Sequence, residues 1–154
     1  MFARLRFLSV VLLLAVWWGG FTFYALVVVP TGHHVLRSKV RQGFITQQVT
    51  NKLNALGAVT LAALAWQVVA VRRAKSRRWL RIATISWAAL AVTLALLVWL
   101  HPHLDALLDP VARSVVDDDK FYALHRWYLI VATVQWLAGM IHAATLLTES
   151  PSQS

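Results

Sequence analysis

Four long apolar runs without a single charged residue restrict what this sequence can fold into. They cover residues 7–29, 53–71, 82–100 and 127–147. At 1.5 Å per residue, about 20 residues cross the roughly 30 Å hydrocarbon core of a membrane. Because the runs are continuous and do not alternate with polar residues, they indicate helices and not barrel strands. The sequence predicts an all-α, polytopic membrane protein with four transmembrane helices.

Composition agrees with a membrane location and excludes several site chemistries. The 154 residues are 59% hydrophobic and 14% charged, whereas soluble domains average roughly 45–50% apolar and about 25% charged. There is no cysteine, which excludes disulfides, thiolate metal sites and cysteine nucleophiles. The length allows one domain over residues 1–154, and we expect a disordered tail at 148–154.

Basic residues between the second and third runs predict the orientation. Six positive charges fall within ten residues there: Arg72, Arg73, Lys75, Arg77, Arg78 and Arg81. Such density is typical of a cytoplasmic loop. With four helices, both termini then lie on the cytoplasmic side of a bacterial-type inner membrane, in an up-down-up-down bundle. The formal charge of +9 is assigned to topology and lipid contact, not to nucleic acid, and the candidate lipid-headgroup residues are Arg72, Arg73, Lys75, Arg77 and Arg78.

Prolines follow the first and third runs in a similar way. Pro30 ends the sequence Val-Val-Pro, and Pro102 ends the sequence Trp-Leu-His-Pro. A stretch of about twenty residues that is more polar than the apolar run follows each proline. This predicts helices that end at Pro30 and Pro102, and it suggests two parallel helical-hairpin repeats. Only hydropathy and proline placement match, so a chance similarity is the alternative.

Polar residues within membrane segments are costly and therefore mark candidate sites. One stripe with helical spacing opens the second helix, at Gln47, Thr50, Asn51, Asn54 and Gly57. Another occupies one face of the fourth helix, at His125, Tyr128, Ala132, Gln135, Gly139 and His142. Both faces should turn away from lipid. They either form hydrogen bonds that hold the bundle together or line a vestibule, whose candidate residues are Asn51, Asn54, His125, Tyr128 and Gln135.

Histidine and aspartate gather at the predicted outer ends of the helices, at His33, His34, His101, His103, Asp105, Asp109 and His125. Imidazole and carboxylate suit a divalent transition metal. The best candidate ligands are His101, His103, Asp105 and His125. Against a metal, His-Pro-His is not a known zinc spacing, and interfacial histidine is often amphipathic filling. The aspartates at 117–119 have another expected role, capping the fourth helix.

The sequence contains no pattern typical of catalysis. A Gly-x-Ser-x-Gly turn, a phosphate-binding loop and a dinucleotide fingerprint are all missing, so we predict no enzyme, no catalytic residue and no cofactor-binding residue. A membrane haem would need paired axial histidines. His101 with His125 offers only a poor edge pair, and haem or quinone redox is kept as an alternative function.

Short motifs resemble the transmembrane-protein-205-like family. They are Trp18-Gly19-Gly20-Phe21, Leu100-His101-Pro102 and Phe121-Tyr122-Ala123-Leu124-His125-Arg126. The likeness covers nearly the whole chain in topology but only these motifs in residues. It implies a small four-helix integral membrane protein that carries a domain of unknown function, and His125 matches the family's histidine. A looser likeness, through the outer histidines alone, is to bacterial copper-resistance membrane proteins.

The leading hypothesis is a non-enzymatic membrane protein with an outward-facing vestibule. The vestibule would bind or pass a small cation, a divalent metal or a proton. A single four-helix chain would need a homodimer or a membrane partner protein to enclose a transport path. The competing hypothesis is a structural or accessory module whose polar stripes serve helix packing or partner binding.

The absence of cysteine makes the predicted topology directly testable. A single cysteine at Ser76, in the basic loop, should resist a membrane-impermeant maleimide in intact cells and react after lysis. A cysteine at Ser114, in the opposite loop, should react in intact cells. Gel-shift labelling of Ser76→Cys and Ser114→Cys makes the measurement, and the reverse pattern would show that the termini lie outside.

Overall fold

A computed structural model of the chain describes residues 1–109, 111–112 and 114–148, with only the backbone at residue 39. The helices are α1 (Phe2–Phe23), α2 (Val29–Leu36), α3 (Lys39–Val71), α4 (Arg77–Asp105) and α5 (Asp118–Leu147). A π-helical segment, Tyr24–Val28, joins α1 to α2. Strands β1 (Leu108–Asp109) and β2 (Ser114–Val115) pair antiparallel. Residues 149–154 of the predicted tail lie outside the described residues.

Four helical stretches are long and apolar enough to cross a membrane. They are Phe2–Leu36, Val40–Val71, Arg77–Asp105 and Asp118–Leu147. Each contains one of the predicted apolar runs, so the prediction of an all-helical chain with four membrane-spanning helices is confirmed by length and composition. Large apolar side chains such as Leu12, Trp66 and Ile85 are more than 60% exposed on the outside, as a lipid-facing surface requires.

Side-chain caps explain why three of the helices begin well before their apolar runs. Ser38 Oγ accepts a hydrogen bond from the Arg41 amide at 3.3 Å, and Ser76 Oγ accepts one from the Trp79 amide at 3.2 Å. Asp117 Oδ1 accepts one from the backbone amide three residues on, at 3.0 Å. Each cap satisfies an otherwise free amide of a first turn. The two aspartates that follow lie in the first turn of α5, so the predicted capping role of residues 117–119 is confirmed.

The prediction that the first helix ends at Pro30 is wrong. The Val29 amide bonds to the Tyr24 carbonyl, five residues back. The helix then continues to Leu36 and stops at Arg37, whose φ of 46° is left-handed. Proline lacks an N–H, and its ring crowds the preceding turn. The wider π-helical turn inserts one residue just before the proline and accommodates it.

The prediction that the third helix ends at Pro102 is also wrong, because α4 continues to Asp105. A membrane-spanning helix tolerates proline where other groups bond the carbonyls around it. Pro102 leaves the Val98 carbonyl without its usual helical donor, and the next carbonyl, that of Trp99, accepts a hydrogen bond from His103 Nδ1 at 2.8 Å. The stretches after the two prolines therefore differ: the first is helical, and the second includes the β1–β2 hairpin.

The four long helices pack side by side as a bundle. The α4–α5 contact is the most extensive, and others join α3 to α4, α1 to α3 and α1 to α5. Leucines such as Leu64, Leu90 and Leu97, at most 1% exposed, fill the interior. Burying such side chains against one another maximises dispersion contacts, which drive helix association where lipid removes the hydrophobic term.

Two adjacent tryptophans hold α1 against two different neighbours. Successive residues on a helix point about 100° apart, and Trp17 meets Gly57 of α3 while Trp18 meets Gly139 of α5. A Cβ at Gly57 would lie 2.7 Å from Trp17 Nε1, and one at Gly139 would lie 2.7 Å from Trp18 Cδ1. The two glycines therefore form sockets that any side chain would fill.

Indole N–H groups connect the helices by hydrogen bonds. Trp18 stacks on Trp136 with ring centroids 5.3 Å apart, and its Nε1 donates to the Trp136 carbonyl at 3.1 Å. Trp136 Nε1 donates in return to Thr22 Oγ1 at 2.9 Å. Further indoles donate from α4, Trp79 to the Thr145 carbonyl at 3.0 Å and Trp87 to the Leu61 carbonyl at 2.9 Å.

Filling either glycine socket should weaken the bundle. Gly57→Ala and Gly139→Ala should each destabilise it by about 1 to 3 kcal/mol through overpacking, which lowers the unfolding midpoint by a few degrees. Gly19→Ala is the matched control, because a Cβ there meets nothing within 4 Å and alanine favours the helix. Thermal unfolding in detergent makes the comparison, and equal midpoints for all three variants would contradict the socket argument.

Candidate functional site

The polar stripe predicted on the fourth helix faces the interior of the bundle. Tyr128, Gln135 and His142 are 9%, 5% and 0% exposed. Ala132 and Gly139, which lie between them, are also buried. The spacings of three, four and seven residues place all five on one side of α5. The predicted inward orientation is confirmed for these five residues, and the sixth member of the stripe, His125, is half-buried.

The stripe on α3 also faces inward, with one exception. Thr50 and Gly57 are buried, and Gln47 and Asn54 are half-buried. Asn51 is exposed, because it follows Thr50 directly and so points about 100° away from it. Asn51 therefore lies outside the buried part of the stripe, and its place in a vestibule stays a prediction.

Side chains from three other helical segments interact with Tyr128, by contact or at longer electrostatic range. The Asn54 side chain lies beside its hydroxyl, and Tyr24 of the π-helical segment and Asp105 of α4 are within electrostatic range. The His101 ring stands edge-on to the Tyr128 ring, with centroids 6.4 Å apart. We call these five residues, Tyr24, Asn54, His101, Asp105 and Tyr128, the vestibule cluster.

An imidazole–carboxylate pair lies at the α4 side of the vestibule cluster. His101 Nδ1 is 2.8 Å from Asp105 Oδ2, and the two side chains are 8% and 25% exposed. Four residues apart, they share one face of α4. Since an ionised carboxylate only accepts hydrogen bonds, His101 Nδ1 carries the proton that joins them. The pair supplies the one carboxylate of the cluster.

The four predicted metal ligands are not assembled into one group. His103 is exposed and bonds to its own helix, and His125 is half-buried with its ring stacked on Phe121, centroids 5.8 Å apart. In the described part of the chain, no three histidine or acidic side chains are placed to hold a metal ion. Of the four candidates, the structure joins His101 and Asp105.

The other predicted outer residues, His33, His34 and Asp109, are not members of the vestibule cluster. His33 and His34 are exposed on α2. Asp109 Oδ1 accepts hydrogen bonds from the amides of Val111 and Ala112, at 2.8 and 2.9 Å. It therefore stabilises the turn of the β1–β2 hairpin.

Several buried polar atoms lack a well-formed hydrogen bond to any described residue. They include the hydroxyls of Tyr24 and Tyr128 and the Nε2 of Gln135. Gln42 is 7% exposed, and neither its Nε2 nor its Oε1 has a well-formed hydrogen bond to a described residue. A buried polar group that is not satisfied costs about 1 to 3 kcal/mol. Such atoms mark places where water or a ligand completes the bonding.

A second polar contact lies deeper in the bundle, between Ser86 and His142, and it leaves His142 Nε2 without a bond to a described residue. Ser86 Oγ is 2.8 Å from His142 Nδ1 and donates to the Ala83 carbonyl at 3.1 Å. The Ser86 hydroxyl is thus within hydrogen-bond distance of a carbonyl of its own helix and of an imidazole nitrogen of α5. The contact connects α4 to α5.

Sequence reasoning missed Tyr24 and Gln42, and it did not predict the contact of Ser86 with His142. A signal for the first was present, because the helix spacing of the buried positions leads directly to it: Val10, Leu14, Trp17 and Tyr24. Ser86 and Gln42 gave no comparable signal, since their burial depends on which helix packs against them.

The candidate lipid-headgroup residues lie at the α3–α4 connection. Four of the five are exposed: Arg72, Arg73, Arg77 and Arg78. Lys75 is half-buried, and its Nζ lies 5.7 Å from the centroid of the Trp79 ring. The connection therefore presents mainly guanidinium groups on its surface.

Comparisons with models of protein families, with curated proteins and with solved structures found no match to this chain.

The two polar contacts should respond to mutation in opposite ways. Ser86→Ala removes the hydrogen-bond partner of His142 Nδ1 and should cost about 1 to 3 kcal/mol of unfolding free energy. Tyr128→Phe removes a hydroxyl that lacks a good partner, so it should be neutral or stabilising in ligand-free detergent. Thermal unfolding monitored by circular dichroism measures both, and a large loss in Tyr128→Phe would mean that the hydroxyl is bonded.

Proposed function

We propose that this protein is a non-enzymatic membrane protein that binds a small monovalent cation in an interior vestibule. The observation that carries the proposal is the Tyr128 hydroxyl, buried without a well-formed bond beside Asn54 and within electrostatic range of Asp105. Hydroxyl, amide and carboxylate oxygens, which Tyr128, Asn54 and Asp105 carry, are ligands that suit a small, hard cation. The vestibule cluster would supply these ligands.

Charge favours a monovalent cation over a divalent metal. The vestibule cluster contains one carboxylate, Asp105, and His101 already bonds to it. A divalent ion buried with one negative charge would keep an uncompensated charge, which is costly in a low-dielectric interior. The divalent-metal version of the hypothesis would need His103 and His125 to move toward this pair.

Hydrogen bonding also distinguishes the vestibule from structural cement. Interhelical cement requires formed bonds, which the indoles of Trp79 and Trp87 and the Ser86–His142 pair do make. The Tyr128 hydroxyl and Gln135 Nε2 lack them among the described residues, as does His142 Nε2 on the far side of its ring. The structural-module hypothesis therefore accounts for the indole bonds and the Ser86–His142 contact, but it does not explain the buried Tyr128 hydroxyl.

The same proposal includes the finer topology. A 2.8 Å bond from Arg6 near the start of α1 to Gln67 near the end of α3, and the bond from Trp79 to the Thr145 carbonyl near the end of α5, support an up-down-up-down order. Inner-membrane location, cytoplasmic termini, a homodimer or membrane partner protein, the two-hairpin repeat and membership of the transmembrane-protein-205-like family are further parts of the proposal.

Cation binding is tested by linkage to unfolding. For the purified chain in neutral detergent, sodium chloride should raise the unfolding midpoint above choline chloride of equal ionic strength. A cation present at 100 times its dissociation constant adds about 2.7 kcal/mol to the unfolding free energy. This raises the unfolding midpoint by several degrees. Asn54→Leu should abolish the rise. Thr133→Val is the matched control, because Thr133 is exposed and its hydroxyl bonds only within α5.

Each alternative gives a different result in this experiment. A midpoint lowered in Asn54→Leu and Gln135→Leu, with no response to sodium, potassium or lithium in the native chain, supports the structural module instead. Stabilisation by zinc that His101→Ala removes supports a metal site. A Soret band in the absorption spectrum of the purified protein would support haem.

A further inference from the structure

The connection between α3 and α4 concentrates positive charge that the described part of the chain leaves uncompensated. Five exposed arginines form what we call the arginine patch: Arg72, Arg73, Arg77, Arg78 and Arg81. None of these guanidinium groups pairs with a described carboxylate or makes a hydrogen bond to a described residue. Lys75 is not counted, because it lies over the Trp79 ring.

Two arginines of the arginine patch destabilise the start of the helix that carries them. Arg77 and Arg78 occupy the first turn of α4, where no acidic residue offsets them and where the helix dipole disfavours cations. Arg77 and Arg81 are four residues apart, the spacing at which like charges on a helix repel. Arg72 and Arg73 differ, because they follow the C-terminal end of α3, where the dipole favours positive charge.

The chain's aspartates are far from the arginine patch. All five lie between residues 105 and 119, at the other end of α4. That helix has 29 residues, a length of about 44 Å. Screening over about 8 to 10 Å at ordinary ionic strength removes attraction across such a distance. Among the described residues, therefore, none supplies the counter-charge.

We propose that the arginine patch binds the phosphate of an anionic phospholipid and that this lipid stabilises the start of α4. Planar guanidinium groups bond phosphate oxygens in pairs. The patch flanks two membrane-spanning helices, and the neighbouring Trp66 and Trp79 are of the residue type that anchors at headgroup level. An anion here cancels both the like-charge repulsion and the unfavourable dipole. The proposal is independent of the vestibule.

The test is thermal unfolding of the full chain in neutral detergent, followed by tryptophan fluorescence. Phosphatidylglycerol should raise the midpoint by about 4 °C, and phosphatidylcholine at the same mole fraction should not. Arg77→Gln with Arg78→Gln should raise the midpoint by about 2 °C without lipid, because repulsion is removed. The same variant should lose most of the phosphatidylglycerol response. Loss of a merely structural contact would not raise the midpoint without lipid and at the same time remove the phosphatidylglycerol response.

The matched control, Arg37→Gln with Arg41→Gln, removes the same charge from the other end of α3. It should keep the phosphatidylglycerol response, and an equal loss in both variants would overturn the proposal in favour of general charge attraction. An unchanged response in the patch variant, or a lower midpoint for it without lipid, would also overturn it. Inorganic phosphate is the final arm, because a rise equal to that from phosphatidylglycerol would replace the lipid by a free phosphate.

Discussion

In lipid, apolar side chains gain little by leaving their surroundings for one another, so close steric fit and hydrogen bonds decide which helices pair. In this protein the Trp17–Trp18 dipeptide provides both. One indole fills the gap at Gly57 of α3 and the other the gap at Gly139 of α5. The position of α1 between these helices depends on this fit. Tyr24, two turns further along, reaches the vestibule cluster only because α1 is held there.

The polar groups of the interior fall into two kinds. Indole N–H groups donate to carbonyl oxygens of neighbouring helices, and Ser86 of α4 bonds to His142 of α5. These bonds join the helices of the bundle. The hydroxyls of Tyr24 and Tyr128 are buried without well-formed bonds among the described residues. A bundle already joined elsewhere can keep such groups for a ligand, since their cost is offset by the formed contacts.

Helix number followed from the apolar runs, but helix ends did not. Hydropathy reports where lipid is, whereas a helix ends where its backbone bonding ends. Ser38 and Asp117 start α3 and α5 in polar sequence ahead of the runs. Pro30 and Pro102 failed as terminators because a π-helical turn accommodates one, and the His103 side chain bonds a carbonyl beside the other. Neither accommodation is visible in hydropathy.

The sequence by itself determined four apolar helices, the inward stripe on α5 and most of that on α3, because helical periodicity assigns each residue to a face. Only the tertiary structure decided which polar residues meet. It places Asn54 beside Tyr128 and pairs His101 with Asp105, while His103 and His125 lie apart from that pair. The physical reason is that periodicity fixes a direction around one helix, whereas contact between two helices also depends on their rotation and relative height, which packing alone sets.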